Sequence, residues 1–269
     1  MNICIYTSSV QSITNLINIT HLINERPKHN YSFLVVNREE KALTLKDKLK
    51  RVYSELRSDD GRYDYQRDLL KLHEKLQHYG QPISKFNLET EYVSLVNDAK
   101  SDAFLLKNKP DIILQAGAGI LRNNIFTKAG IATINVHHGI APEIRGIDST
   151  FWCMFYGIKE KIGVTCHIID EHLDTGAIIQ QEALVSKSQS LIDIQTENYL
   201  MGRDVLVKGI DRLEKGNLII EKQGSVKSYY FGVVNPFLYY ALKKRNFTPI
   251  MKITDKAFKM KERNIITPA

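Results

Sequence analysis

At 269 residues, with 43% hydrophobic and 25% charged residues, the chain has the composition of an ordinary globular protein and can bury a sizeable core. No apolar run reaches the roughly 18 residues that a transmembrane helix needs, and MNICIYTSSV lacks the basic and long apolar regions of a signal peptide. The formal net charge of +7 permits an anionic partner without requiring one. Cys4, Cys153 and Cys166 show no metal-ligand spacing; Cys4 and Cys166 fall inside predicted strands, and a reduced, cytoplasmic protein is expected.

Residues 2–7 read as a first strand, followed by Ser8, Ser9 and Ser12 and an amphipathic helix to about Arg26. Residues 32–37 give a second strand, so the chain opens as a βαβ unit. Over 39–79, two charged amphipathic helices flank a turn at 57–62. This hairpin reads as a solvated insert with one face on the domain; the alternatives are a lid or a contact between the copies of a homodimer. Its Lys and Arg residues have no interleaved aromatics, so a nucleic-acid platform is not indicated. Residues 83–88 read as a short strand and 89–107 as a helix ending before Pro110. Ile112 to Leu114 form a buried strand, and Gln115 to Leu121 a small-residue loop without the third glycine of a dinucleotide fingerprint.

The apolar run Ile131 to Val136 reads as a buried strand bearing Asn135 and ending in His137, His138 and Gly139. Open α/β sheets place ligands at such strand tips. Residues 147–157 predict a helix whose Phe151, Trp152 and Phe155 are core. A further strand, 162–169, runs into Asp170, Glu171, His172, Asp174 and Gly176, so two strands bring amide, imidazole and carboxylate groups to one rim. Residues 177–185 read as a strand and 190–215 as a long helix that Gly216 ends. In the tail, a short strand LIIEK precedes Tyr229-Tyr230-Phe231 and FLYYALKKRNF. These aromatics suit stacking on a base or sugar, or packing back on the core; packing is the expectation. The fold class is α/β, divided into a domain over 1–190 and a C-terminal helix and extension over 191–269.

Asn135-Val136-His137, Pro142, Arg145-Gly146, Gly163-Val164-Thr165-Cys166-His167 and Asp174-Thr175-Gly176 follow one another over some forty residues. In this order they resemble the formyltransferases that use 10-formyltetrahydrofolate, closely over about 108–185 and loosely over 1–215. The resemblance implies a Rossmann-like formyltransferase core, a mostly parallel sheet flanked by helices, with 10-formyltetrahydrofolate as formyl donor. It makes Asn135, His137 and Asp174 catalytic. Formyl transfer to an amine develops an oxyanion and releases a proton, so it needs a donor, a group titrating near neutrality and a partner for that group. An amide, an imidazole and a carboxylate meet those needs. In the family the loop matching Gly117, Ala118, Gly119, Ile120 and Leu121 lines the folate pocket, and Ile169, Asp170 and His172 are assigned to the same side. Ser8, Ser9, Gly139, Pro142 and Arg145 are assigned to the acceptor; Arg145 either meets an anionic group or caps its turn. His167 is expected to pack or hydrogen-bond locally. No metal is implied.

The layout is nearest to nucleotide-sugar N-formyltransferases, which makes a nucleotide-linked amino sugar the expected acceptor and surface polysaccharide synthesis the setting. Purine-pathway relatives carry a glycine-rich turn where this chain has Ser8, Ser9 and Ser12. The tail is shorter than the barrel that tRNA formyltransferases append, which weakens a methionyl-tRNA acceptor. Formyltetrahydrofolate deformylases carry a His-His pair matching His137-His138, but also an N-terminal regulatory domain where this chain begins on the first core strand. Outside enzymes, a folate-binding protein with a vestigial site is the alternative, against which Asn135, His137 and Asp174 all stand.

Overall fold

A computed structural model describes residues 1–37, 61–216, 223–224 and 226–250. The first helix of the expected insert and the LIIEK strand lie outside the described residues.

β1 (Asn2–Ser8), α1 (Ile13–Glu25) and β2 (Asn30–Val36) form the opening βαβ unit, with β1 and β2 parallel in full register. Ser12 caps α1 by accepting from the Asn15 N–H. The second insert helix is present as α2 (Gly61–Leu76). Next come β3 (Glu89–Val93), α3 (Ala99–Asn108), β4 (Ile112–Ala116), the short α4 (Asn123–Phe126) and β5 (Ala132–His137). The expected strand at 83–88 is instead a 3-10 turn, Ile83–Lys85, and the strand starts at Glu89 within the expected helix. Ile83 and Phe86 pack on the main core as anchors rather than pairing. The helix begins ten residues later than expected, where the Asp98 carboxylate accepts from the Ser101 N–H.

β6 (Ile144–Gly146), α5 (Ser149–Tyr156), β7 (Gly163–Ile168), β8 (Ile178–Ala183), α6 (Leu191–Glu214), β9 (Tyr229–Phe231) and α7 (Pro236–Lys244) complete the chain. The main sheet has seven strands in the order β3-β2-β1-β4-β5-β7-β8. The first five are parallel; β7 runs antiparallel to β5, and β8 antiparallel to β7. Alternation along β1 sends Ile3 and Ile5 to the face covered by α1 and α6, and Cys4 and Tyr6 to the face covered by α3 and α4. Cys4, Cys153 and Cys166 are buried free thiols; burial pushes Cys4 and Cys166 up to about 12.

The aromatic tail packs back. β9 pairs with β6, which makes Arg145-Gly146 part of a strand rather than a turn. Phe231 stacks on Trp152, the rings 5.4 Å apart, and both Phe231 and Tyr239 are buried in a second core with α5. α2 is pinned to α7 by buried Asp68, which accepts from Tyr239 Oη at 2.8 Å and Lys243 Nζ at 2.6 Å.

Candidate active site

The strand order reverses between β1 and β4, which makes their carboxyl ends a topological switch point, the usual crevice of an open α/β sheet. A cavity of about 570 Å³ lies there. Thr14 and Asn15 reach it from the first turn of α1, and Gln115 and Gly117 from the end of β4. Gly117 has φ +87°, and a Cβ there would collide with the Asn15 amide, so only glycine leaves Asn15 its place. The far wall comes from His138, from Asp148, Ser149 and Thr150 at the start of α5, and from Gln195 and Tyr199 of α6.

A second cavity of about 390 Å³ opens beside it. Gly119, Ile120 and Leu121 line one wall, and Ile169, Asp170 and His172 the other, with His167 between. Gln115, Ile120, Asn135, Leu173 and Asp174 line both cavities. The residues expected at a folate site thus gather around this second space, except that Gly117 faces the first cavity and Ala118 is fully buried. The walls are apolar with polar ends, a shape that suits a flat heteroaromatic ring.

Asn135, His137 and Asp174 converge at the common wall. β7 pairs with β5 so that His167 stands opposite Asn135 and Thr165 opposite His137. Since β7 is antiparallel, its carboxyl end points away from the β5 tip. The loop after it turns back, and Asp174, at φ 53°, returns the carboxylate to both imidazoles. Gly176 makes this return possible: its Cα lies against the Ile168 carbonyl, where any Cβ would overlap the oxygen. His137 Nδ1 lies 3.6 Å from Asp174 Oδ2 and His167 Nε2 lies 3.5 Å from Asp174 Oδ1.

The hydrogen bonds set the protons. His137 Nε2–H donates to the Ile144 carbonyl at 2.9 Å, which leaves Nδ1 as the free lone pair, facing Asp174. Burial lowers the pKa of His137, while the charge of Asp174 and the bond to Ile144 work the other way. Burial also opposes ionisation of Asp174. The hydrogen bond from His167, the charge of His137 and the Gly146 N–H at 3.0 Å outweigh it and hold the carboxyl down at about 2. His167 Nδ1–H donates to the Ile168 carbonyl at 2.8 Å, so Nε2 is free to accept from Asn135 Nδ2 at 3.3 Å or, when protonated, to face Asp174. Expected only to bond locally, His167 is thus a fourth member of the cluster; its place in Gly-Val-Thr-Cys-His was the available signal.

The residues expected on the acceptor side do not line the first cavity. Ser8 is buried and its hydroxyl donates to the Val10 carbonyl. Ser9 donates its N–H to the Val36 carbonyl. Gly139 sits against His137, where a Cβ would meet Nε2, and its carbonyl accepts from Thr165. Pro142 follows a cis peptide bond in the loop before β6. Arg145 donates to Gln223 Oε1 at 2.8 Å. The cavity is instead built by side chains that carry no local motif, Thr14, Asn15, Asp148, Thr150, Gln195 and Tyr199. Half-buried His138 stands edge-on to Tyr199, ring centroids 4.8 Å apart, its Nδ1 shielded and without a partner and its pKa pushed down to about 3 by desolvation and by the charge of His137. No group of three or more His, Cys, Asp or Glu side chains among the described residues is disposed to hold a metal ion, and no helix among them is long and apolar enough to cross a membrane.

Comparison with known proteins bears on the fold and the family. The methionyl-tRNA formyltransferase of Chlorobium chlorochromatii is 29% identical over 132 residues, 49% of this chain and 42% of that protein. The enzyme of the same name from Clostridium acetobutylicum is 31% identical over 145 residues, 53% of this chain and 46% of that protein. The matched stretch covers less than half the length of these curated relatives. Among solved structures, glycinamide ribonucleotide transformylase 1 from Symbiobacterium toebii superposes with a TM-score of 0.56 at 18% identity, over 83% of this chain and 92% of that one. A sugar N-formyltransferase from Shewanella sp. FDAARGOS_354 gives 0.53 at 16% identity, over 87% and 77%. At such identities the likeness speaks to the fold alone. Residues 66–199 match the Formyl transferase family model, and through them this chain carries a formyl transferase domain.

Proposed function

We propose that the protein transfers the formyl group of 10-formyltetrahydrofolate to the primary amine of an amino sugar carried on a nucleotide. The observation that carries this reading is the common wall of the two cavities, where Asn135 and Asp174 face both spaces and His137 the larger one. A donor in the smaller cavity and an amine in the larger would meet there. The amine attacks the formyl carbon, Asn135 donates an amide N–H to the developing oxyanion, and His137 Nδ1 takes the proton leaving the nitrogen. Ionised Asp174 then stabilises the imidazolium. Collapse breaks the bond to the folate nitrogen, which receives the proton, so no covalent enzyme intermediate is needed.

The larger cavity's walls support the sugar. Thr14, Asn15, Asp148, Thr150 and Gln195 offer hydroxyl, amide and carboxylate groups, suited to sugar hydroxyls, and Tyr199 offers a ring face. A second reading, an aminoacyl-tRNA acceptor, is favoured by the names of the sequence relatives. The test is tetrahydrofolate release from 10-formyltetrahydrofolate, first without acceptor, then with nucleotide-linked amino sugars and with methionyl-tRNA. Release with an amino sugar alone is expected. Release with methionyl-tRNA alone would replace the sugar, and equal release with no acceptor would make the protein a hydrolase.

A further inference from the structure

We infer that Gln223, in the C-terminal extension, is a positioning residue that holds the Asp174 carboxylate against His137. The inference rests on the formyl-transfer reading for its effect on turnover, but not for its geometry. Asp174 is not a glycine, yet it lies in the left-handed region at φ 53°, a conformation that surrounding contacts must maintain. Its carboxylate is held by the Gly146 N–H at 3.0 Å. Its backbone is held by Gln223, whose Nε2 donates to the carbonyls of Asp174 at 3.0 Å and Gly176 at 2.7 Å and so brackets the turn. Gln223 Oε1 accepts from Arg145 at 2.8 Å, and Arg145 immediately precedes Gly146. One side chain thereby closes a ring through Arg145, Gly146 and Asp174. β6 carries the Arg145 and Gly146 side of that ring, and its Ile144 carbonyl receives the His137 proton. Base and carboxylate are referred to one strand. A primary amide suits the task, with two N–H donors for two carbonyls and an oxygen for the guanidinium.

The groups facing His137 are Asp174, His167 and Arg145, with His138 beside it in sequence and the Ile144 carbonyl at Nε2. Of the charged groups, Asp174 favours the imidazolium while His167 and Arg145 oppose it. Letting Asp174 drift away therefore lowers the pKa of His137 and moves the acid limb of the pH–rate profile to lower pH. A residue that only supported the fold would not do this.

The test uses the full chain with Gln223→Ala and Gln223→Met, the second keeping length and bulk without the hydrogen bonds. NMR titration of the His137 imidazole needs no acceptor; thermal unfolding and steady-state kinetics accompany it. In both variants His137 is expected to titrate at lower pH than in the wild type, with the melting temperature little changed. The expected fall in kcat is roughly 10- to 100-fold, with KM for the donor nearly constant. Gln223→Asn, which keeps the amide on a shorter stem, is expected to restore part of the shift. An unaltered His137 titration in Gln223→Met overturns the inference, whether or not activity falls. Wild-type protein inactive on every acceptor would count against formyl transfer and leave the titration to judge Gln223.

Discussion

His137 meets the requirements of a general base by subtraction. Burial removes the proton that solvent would leave on it near neutrality, the Ile144 carbonyl occupies Nε2, and only Nδ1 remains to act. Asp174, held at about 2, stays ionised near neutrality, so on the formyl-transfer reading the acid limb of the rate profile is expected to belong to the imidazole rather than the carboxylate. His137→Ala is expected to lower kcat by roughly 10²- to 10⁴-fold. Tetrahydrofolate binding, measured by calorimetry, is expected to survive, because His137 does not line the smaller cavity. Unchanged turnover in this variant would end the assignment of His137 as base. Asn135, His137 and Asp174 were readable in the sequence because each sits in a short ordered motif. Thr14, Asp148, Gln195 and Tyr199 were not. They come from three elements far apart in sequence, α1, the start of α5 and α6, and meet only through tertiary packing, and none differs in type from an ordinary surface or core residue.

At the scale of elements, apolar periodicity located most strands and helices but carries no direction. Nothing in Gly163–Ile168 announces that it runs against β5, yet that reversal puts His167 opposite Asn135 and forces the Asp174 loop to double back. The edge strand β3 was missed for a related reason. It pairs on one side only, so ETEYV alternates weakly, while the apolar Ile83 and Phe86 before it imitate a strand. α6 shows what its glycines add to periodicity. Gly202 and Gly209 let it lie close to the sheet: a Cβ at the first would come 2.6 Å from His138 Cε1, and at the second 2.8 Å from Cys166 Sγ. Gly202→Ala is expected to destabilise the protein by about 1–3 kcal/mol, read as a lower urea midpoint, because overpacking costs that much where neighbours cannot yield. A midpoint equal to that of wild type would mean that His138 moves freely.

For the molecule as a whole, two desolvated imidazoles make stability depend on pH in one direction. His138 is depressed to about 3 and His137 is also lowered, so the folded state refuses protons that the unfolded chain accepts below about 6.5. That stability is complete above the unfolded value and is lost as pH falls from there toward 3. Asp174, whose folded value is about 2, adds a second loss that starts in the ordinary carboxylate range near 4 and runs down toward 2. His138→Gln is expected to flatten the decline in urea midpoint between neutral and mildly acidic pH; an unchanged slope would mean that this imidazole is not shielded in solution. The paired cavities also carry a kinetic consequence. On the formyl-transfer reading neither ligand must leave before the other arrives, since the two spaces touch only along Gln115, Ile120, Asn135, Leu173 and Asp174. Turnover then passes through a ternary complex, double-reciprocal plots intersect, and formyl exchange between donor and free tetrahydrofolate waits on the amine.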